Sequence, residues 1–129
     1  MGDLMALLRP VYAARDPADG VRLMLEFCDP AIELWPAGLW LDHSAVCRGH
    51  AEVAEFFQKL EDAFGEFWFE PERFEQRGDS VAVAVRLEVR GRLSGIPDSR
   101  AIGHLWRFRG ERAVEIRAFR SAAEAFAAL

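Results

Sequence analysis

Two side chains in this sequence have the type and spacing to move a proton. The first is His104 in residues 101–108, AIGHLWRF, where Ile102, His104, Trp106 and Phe108 fall on one side of an extended chain and Gly103, Leu105 and Arg107 on the other. An imidazole in such a row titrates near neutrality and can serve as acid, base or ligand-orienting group. Its plain alternative is a core histidine bonded to the backbone. The second is Glu33 in residues 31–35, AIELW, which shares the face of Trp35. A carboxyl buried beside aromatics has a raised pKa and can act as general acid or base; on a pocket rim the same group would instead pair with Arg48 or Arg117. Around these two, Trp35, Trp40, Trp68 and Trp106 have the ring area to wall a flat ligand, and Tyr12 sits on a helical stripe with a hydroxyl to place. His43, Cys47 and His50 approach metal-ligand spacing, but Gly49 makes the stretch read as loop, and no metal site is expected.

Composition limits the partners. The chain has 129 residues, a length for one domain over 1–129, with 51% hydrophobic and 29% charged residues, which suits a soluble globule. Ten Phe and four Trp against one Tyr favour a thick apolar interior or a lined cavity. The formal charge is −5, and the arginines are scattered among acids rather than gathered in a stripe, so nucleic acid is not an expected partner. Cys28 and Cys47 are too few for a disulfide framework and read as reduced thiols. The N-terminal residues, MGDLMALLRP, do not read as a secretion leader and no window is apolar enough for a membrane span, which points to a cytoplasmic chain with no membrane partner.

The elements that must position these groups follow from periodicity. Leu4, Leu7, Leu8, Val11 and Tyr12 recur at helical steps, with Pro10 either kinking that helix or opening it. Asp16 with Pro17 caps a second helix carrying Val21, Met24, Leu25 and Phe27, which the CDP run of 28–30 stops. Residues 31–35 read as a strand, 36–49 as a loop with a short strand near 45–47. Val53, Phe56, Phe57, Leu60 and Phe64 then make one helical stripe that Gly65 ends. From there the period is two. A strand broken near Pro71, the RGD turn at 77–79, a cleanly alternating strand from Ser80, a loop at 94–99, a strand over 100–108, the RGER turn at 109–112 and a strand over 113–119 precede a short helix in SAAEAFAAL. Helices followed by long antiparallel strands give an α+β architecture, with helices on one face of a curved sheet.

The runs VYAARDPADGVRLMLEFCDPAIELW, CRGHAEVAEFF, RFEQRGDSVAVAVRLEVRGRLSG and HLWRFRGERAVEIRAF, in this order and spacing, resemble the nuclear transport factor 2-like superfamily, a cystatin-like roll, and within it the SnoaL-like group related to polyketide cyclases. The resemblance covers nearly the whole chain. It implies a cone-shaped domain whose curved antiparallel sheet wraps around the N-terminal helices and encloses one apolar pocket, with the convex face used for homodimerisation. It implies a small apolar or aromatic ligand and no cofactor. On this reading Tyr12, Trp35, Trp40, Phe57 and Trp68 line the pocket, together with Val85, Leu87, Trp106, Ile116 and Ala118 from the strands. Arg86, Glu88, Arg90, Arg107 and Glu115 face outward.

The resemblance also assigns roles. Ketosteroid isomerase, a member of this fold, uses an Asp base with a Tyr and a protonated Asp as donors; here Tyr12 matches the donor Tyr, Trp35 stands at the base position and His104 at the second donor. Cyclase-like members pair a late-strand carboxylate with a histidine; His104 matches the histidine, and Phe119 stands where the acid is expected. No Asp–Arg–Asp set of the hydrolase members is present. Three functions follow: proton-transfer chemistry of cyclase or isomerase type with His104 and Glu33, a non-catalytic ligand-binding module oriented by His104, or a dimeric interaction module whose interior is filled by its own rings.

Overall fold

The computed structural model describes residues 3–36, 45–90 and 97–129. The elements run α1 (Leu4–Ala13), α2 (Pro17–Leu25), β1 (Cys28–Trp35), β2 (Cys47–Arg48), α3 (Gly49–Phe64), β3 (Glu66–Arg77), β4 (Ser80–Arg90), β5 (Pro97–Arg109), β6 (Arg112–Phe119) and α4 (Ala122–Ala127). Asp3 and Asp16 accept the first free N–H groups of α1 and α2, as capping acids do. α1 continues through Pro10, whose missing N–H falls in its last turn. Gly65 ends α3 at φ +81°, a backbone setting that a side chain would strain.

Six strands form one curved, open sheet in the order β2-β1-β6-β5-β4-β3. All pairs are antiparallel except β1 with β6, which run parallel, so the sheet is mixed where the sequence suggests uniform antiparallel pairing. The two parallel strands are far apart in sequence, and the intervening helix and hairpins supply the crossover a parallel pair needs. β3 carries a bulge between Pro71 and Arg73, where the proline cannot donate to the ladder. A second bulge between Arg107 and Phe108 puts Ala113 opposite Phe108 and into the core, shifting Val114 off the inward row that simple alternation gives it.

The core lies between the concave sheet face and α1–α3. Leu8, Ile32, Val53, Phe67, Val81, Val83, Val85 and Ile102 are fully enclosed there. Not all helices share that face. α4 packs on the opposite side of β4 and β5, over a bed of Ala82, Gly103 and Leu105. A Cβ on Gly103 would stand 2.6 Å from the Ser121 carbonyl oxygen and 2.7 Å from the Ala125 Cβ, so the helix approaches as closely as it does because residue 103 has no side chain. Among the described residues no helix is long and apolar enough to cross a membrane.

Candidate functional site

Inside the cone is a cavity of about 80 Å³. Its walls come from α1 (Val11, Tyr12), α2 and the link before it (Ala14, Pro17, Gly20, Val21, Met24), Leu34 of β1 and Phe57 of α3. Phe67, Trp68 and Phe69 of β3, His104 and Trp106 of β5, and Ile116 and Ala118 of β6 complete it. Almost all of this surface is carbon. The volume is several times the roughly 10–15 Å³ one water requires and well under the about 300–1,000 Å³ of a drug-sized pocket, so the space is about one ring in size.

One polar constellation interrupts the apolar wall. Trp106 Nε1 donates to Tyr12 Oη at 2.8 Å, and Tyr12 Oη lies 2.7 Å from His104 Nδ1. Strand alternation brings His104 and Trp106 to the same face of β5, and the helical stripe of α1 turns Tyr12 down onto both. The rings pack as well: His104 meets Phe69 edge-on at 5.2 Å between centroids, and Tyr12 meets Phe74 edge-on at 5.8 Å. Burial disfavours the charged imidazolium and lowers the His104 pKa from 6.5 to about 4. Burial also pushes the Tyr12 phenol above its ordinary range, a shift the Trp106 hydrogen bond only partly offsets. At neutral pH both groups are therefore uncharged hydrogen-bonding partners.

Of the residues expected in the pocket, Tyr12, Phe57, Trp68, Trp106, Ile116 and Ala118 line the cavity with His104. Val85 and Leu87 face inward but are packed into the core beyond the cavity wall. Trp40 and His43 lie outside the described residues. Glu33 and Trp35 are corrected. Ile32 and Leu34 take the inward places on β1, which turns Glu33 and Trp35 to the outer face. There Glu33 accepts from Trp35 Nε1 at 3.3 Å and pairs with Arg48 at 3.4 Å, while the Arg117 guanidinium sits 4.6 Å over the Trp35 ring. No carboxylate lines the cavity among the described residues.

The sequence does not single out Val11, Ala14, Pro17, Gly20, Val21, Met24, Leu34, Phe67 and Phe69 as cavity wall. For Leu34 the signal existed, since Ile32 and Leu34 are the aliphatic row of AIELW. Trp68 on the edge strand is notable in another way: its Nε1–H is buried without a hydrogen-bond partner, and Arg15 lies over its ring at 5.1 Å. His50 Nε2 is 3.0 Å from the Cys28 carbonyl oxygen, and burial raises the Cys28 thiol to about 12, which makes it a poor nucleophile and metal ligand. Among the described residues no group of three or more His, Cys, Asp or Glu could hold a metal ion.

Comparison with known proteins sets this site in a context. A family model described as the SnoaL-like domain matches residues 6–116. An NTF2-like protein of unknown function from Burkholderia pseudomallei is 22% identical, with 98% of this chain and 97% of that one covered and a TM-score of 0.80. TerC, co-crystallised with polyporic acid, is 23% identical over 98% of this chain and 96% of its own, with a TM-score of 0.77. A protein from Jannaschia sp. CCS1 proposed as a SnoaL-like polyketide cyclase is 17% identical over 97% and 87% of the two chains, with a TM-score of 0.70. These likenesses show the fold. No curated protein matches the chain.

Proposed function

Since the chain belongs to the SnoaL-like family, we propose that its cavity binds one small, flat, largely apolar or aromatic molecule and that His104 is the polar group that orients it. The observation that carries this reading is the wall itself: carbon on nearly every side, with one uncharged imidazole held in place by Tyr12. The co-crystallisation of polyporic acid with a neighbour of the same fold supports a small organic occupant.

Chemistry is a second, narrower reading. A neutral His104 can polarise a ligand oxygen, and among the lining residues it is the titratable group nearest to proton transfer in the neutral range. Glu33, its expected partner, is on the other face of β1, so a cyclase or isomerase cycle lacks a second proton-handling carboxylate among the described wall residues. Binding is therefore the reading favoured over turnover. Free, buried Cys28 and Cys47 suit a reducing, cytoplasmic setting. The test is ligand-observed and protein-observed NMR with acetophenone. Shifts at His104, Trp106, Ile116 and Ala118, abolished by a cavity-filling Ala118→Phe, are expected. Shifts confined to surface residues, or unaffected by Ala118→Phe, would contradict the reading.

The same reading includes a homodimer through the outer sheet face. α4 already covers the outer side of β4 and β5, which leaves the β1–β6 end for a second copy. That end presents Glu33 and Glu115 beside Arg48, Arg107 and Arg117, so both signs of charge lie on one patch and can meet their opposites across a two-fold axis.

A further inference from the structure

We propose that the corner joining α1 to α2, residues 14–21, is the door to the cavity, and that it opens when the first turns of α2 fray at Gly20. The inference rests on the reading of the cavity as a ligand site and adds the way in.

The corner stands between three spaces. A cleft of about 430 Å³ lies on one side of it, beside Arg15, Glu61 and Glu66, and a second of about 370 Å³ lies on the other, in the groove between α2 and α3. Pro17 borders both clefts and the cavity. Val21 and Phe57 separate the cavity from the second cleft, and Phe67 and Trp68 separate it from the first. The three rings belong to α3 and to β3 of the sheet, whereas Pro17 and Val21 belong to α2. Lifting these two would join a space of one ring to two clefts, each within the size range of small-molecule sites.

The hold on that corner is weak. Met24, near the far end of α2, is its one buried residue, so the helix is anchored there while residues 17–21 are exposed or half-buried. The link before α2 is fastened by Arg15, which pairs with Glu70 at 3.1 Å and lies over the Trp68 ring at 5.1 Å. Both partners of the ion pair are well exposed, and such pairs add little against opening. Gly20 weakens the helix from within, since glycine is the poorest helix former after proline. Space does not require it: a Cβ there would stand 3.4 Å from the Val11 carbonyl oxygen and 3.7 Å from the Ala14 Cβ, ordinary contacts and unlike the clash at Gly103. The backbone does not require it either, because Gly20 is not among the residues at positive φ. A glycine demanded by neither packing nor conformation leaves α2 easy to unwind at the turn that borders the cavity.

The test needs no ligand. Ile116→Cys puts a thiol in the cavity wall, and its alkylation by iodoacetamide in the folded protein, mapped by mass spectrometry, reports how often the cavity opens. Cys28, fully buried at the start of β1, reports larger unfolding in the same sample. The introduced thiol is expected to react about tenfold faster than Cys28 or more. Gly20→Ala is expected to slow it about fivefold, the worth of one glycine in a helix. Equal rates at the two thiols would mean that the cavity opens only with the whole fold, and would overturn the proposal. A fast reaction that Gly20→Ala leaves unchanged overturns it too, since the reagent then enters elsewhere. The ligand reading is tested apart from this: if acetophenone leaves the cavity residues unshifted while the introduced thiol behaves as expected, that reading falls and the door remains. Should Ile116→Cys fail to fold, amide hydrogen exchange along α2 decides. The amides of Val21 and Arg22 are then expected to exchange faster than those of Met24 and Leu25 and to slow in Gly20→Ala; even exchange along the helix overturns the proposal.

Discussion

His104 is kept uncharged by its surroundings, and that has a cost in acid. Its hydrogen-bond partner Tyr12 and the Phe69 ring it meets edge-on carry no charge at neutral pH. In the unfolded chain the imidazole takes a proton near pH 6.5, while in the fold it does so only near 4. Between these values the unfolded state binds more protons, so folding stability falls as pH drops through the window and is undiminished by this group above it. The penalty reaches about 3 kcal/mol by pH 4. Denaturant titrations at pH 7, 5.5 and 4 should show His104→Gln losing less stability on acidification than the wild type; parallel losses would mean His104 is not held neutral. The position of His104 on an inward strand face was legible in AIGHLWRF, since alternation is a local property. Its bond to Tyr12 was not, because the partner lies 92 residues away on another element.

Elements decide which side of the sheet a residue serves. On β1 the aliphatic pair Ile32 and Leu34 goes inward and carries Glu33 and Trp35 out, since neighbours on a strand must face opposite ways. The sequence contained that pattern, but matching Trp35 to an isomerase base position pointed the other way; the burial of two aliphatic side chains outweighs a positional likeness. α2 was legible as a capped helix, yet which of its residues face the cavity depends on how it docks against α1 and α3, and no local signal carries that. α4 shows the same limit: its existence is written in SAAEAFAAL, its place on the outer face only in the small residues of β4 and β5. Gly103→Ala should therefore destabilise by about 1–3 kcal/mol through overpacking against Ser121 and Ala125. Thermal unfolding measures this, and a neutral result would mean α4 is not seated as closely as 2.6 Å implies.

At the scale of the molecule, an open, mixed sheet closes on three helices and leaves a small space where no side chain fills the taper. The fold class was readable because helix and strand periods segregate along the chain, and the cavity was readable only as an expectation of the cone. The outer β1–β6 end gives a prediction of its own. Sedimentation of the wild type should show a dimer, and Trp35→Glu, which puts a third acid beside Glu33 and Glu115 and removes the ring that Arg117 covers, should shift it to monomer. A monomeric wild type would remove that interface. Whether His104 orients a ligand inside the cone is decided at atomic detail by a crystal structure with acetophenone bound. The ring is expected between Phe57, Trp106 and Ile116, with the carbonyl oxygen about 3 Å from His104 Nε2. A ring bound only on the surface, or a carbonyl turned away from His104, would contradict that role.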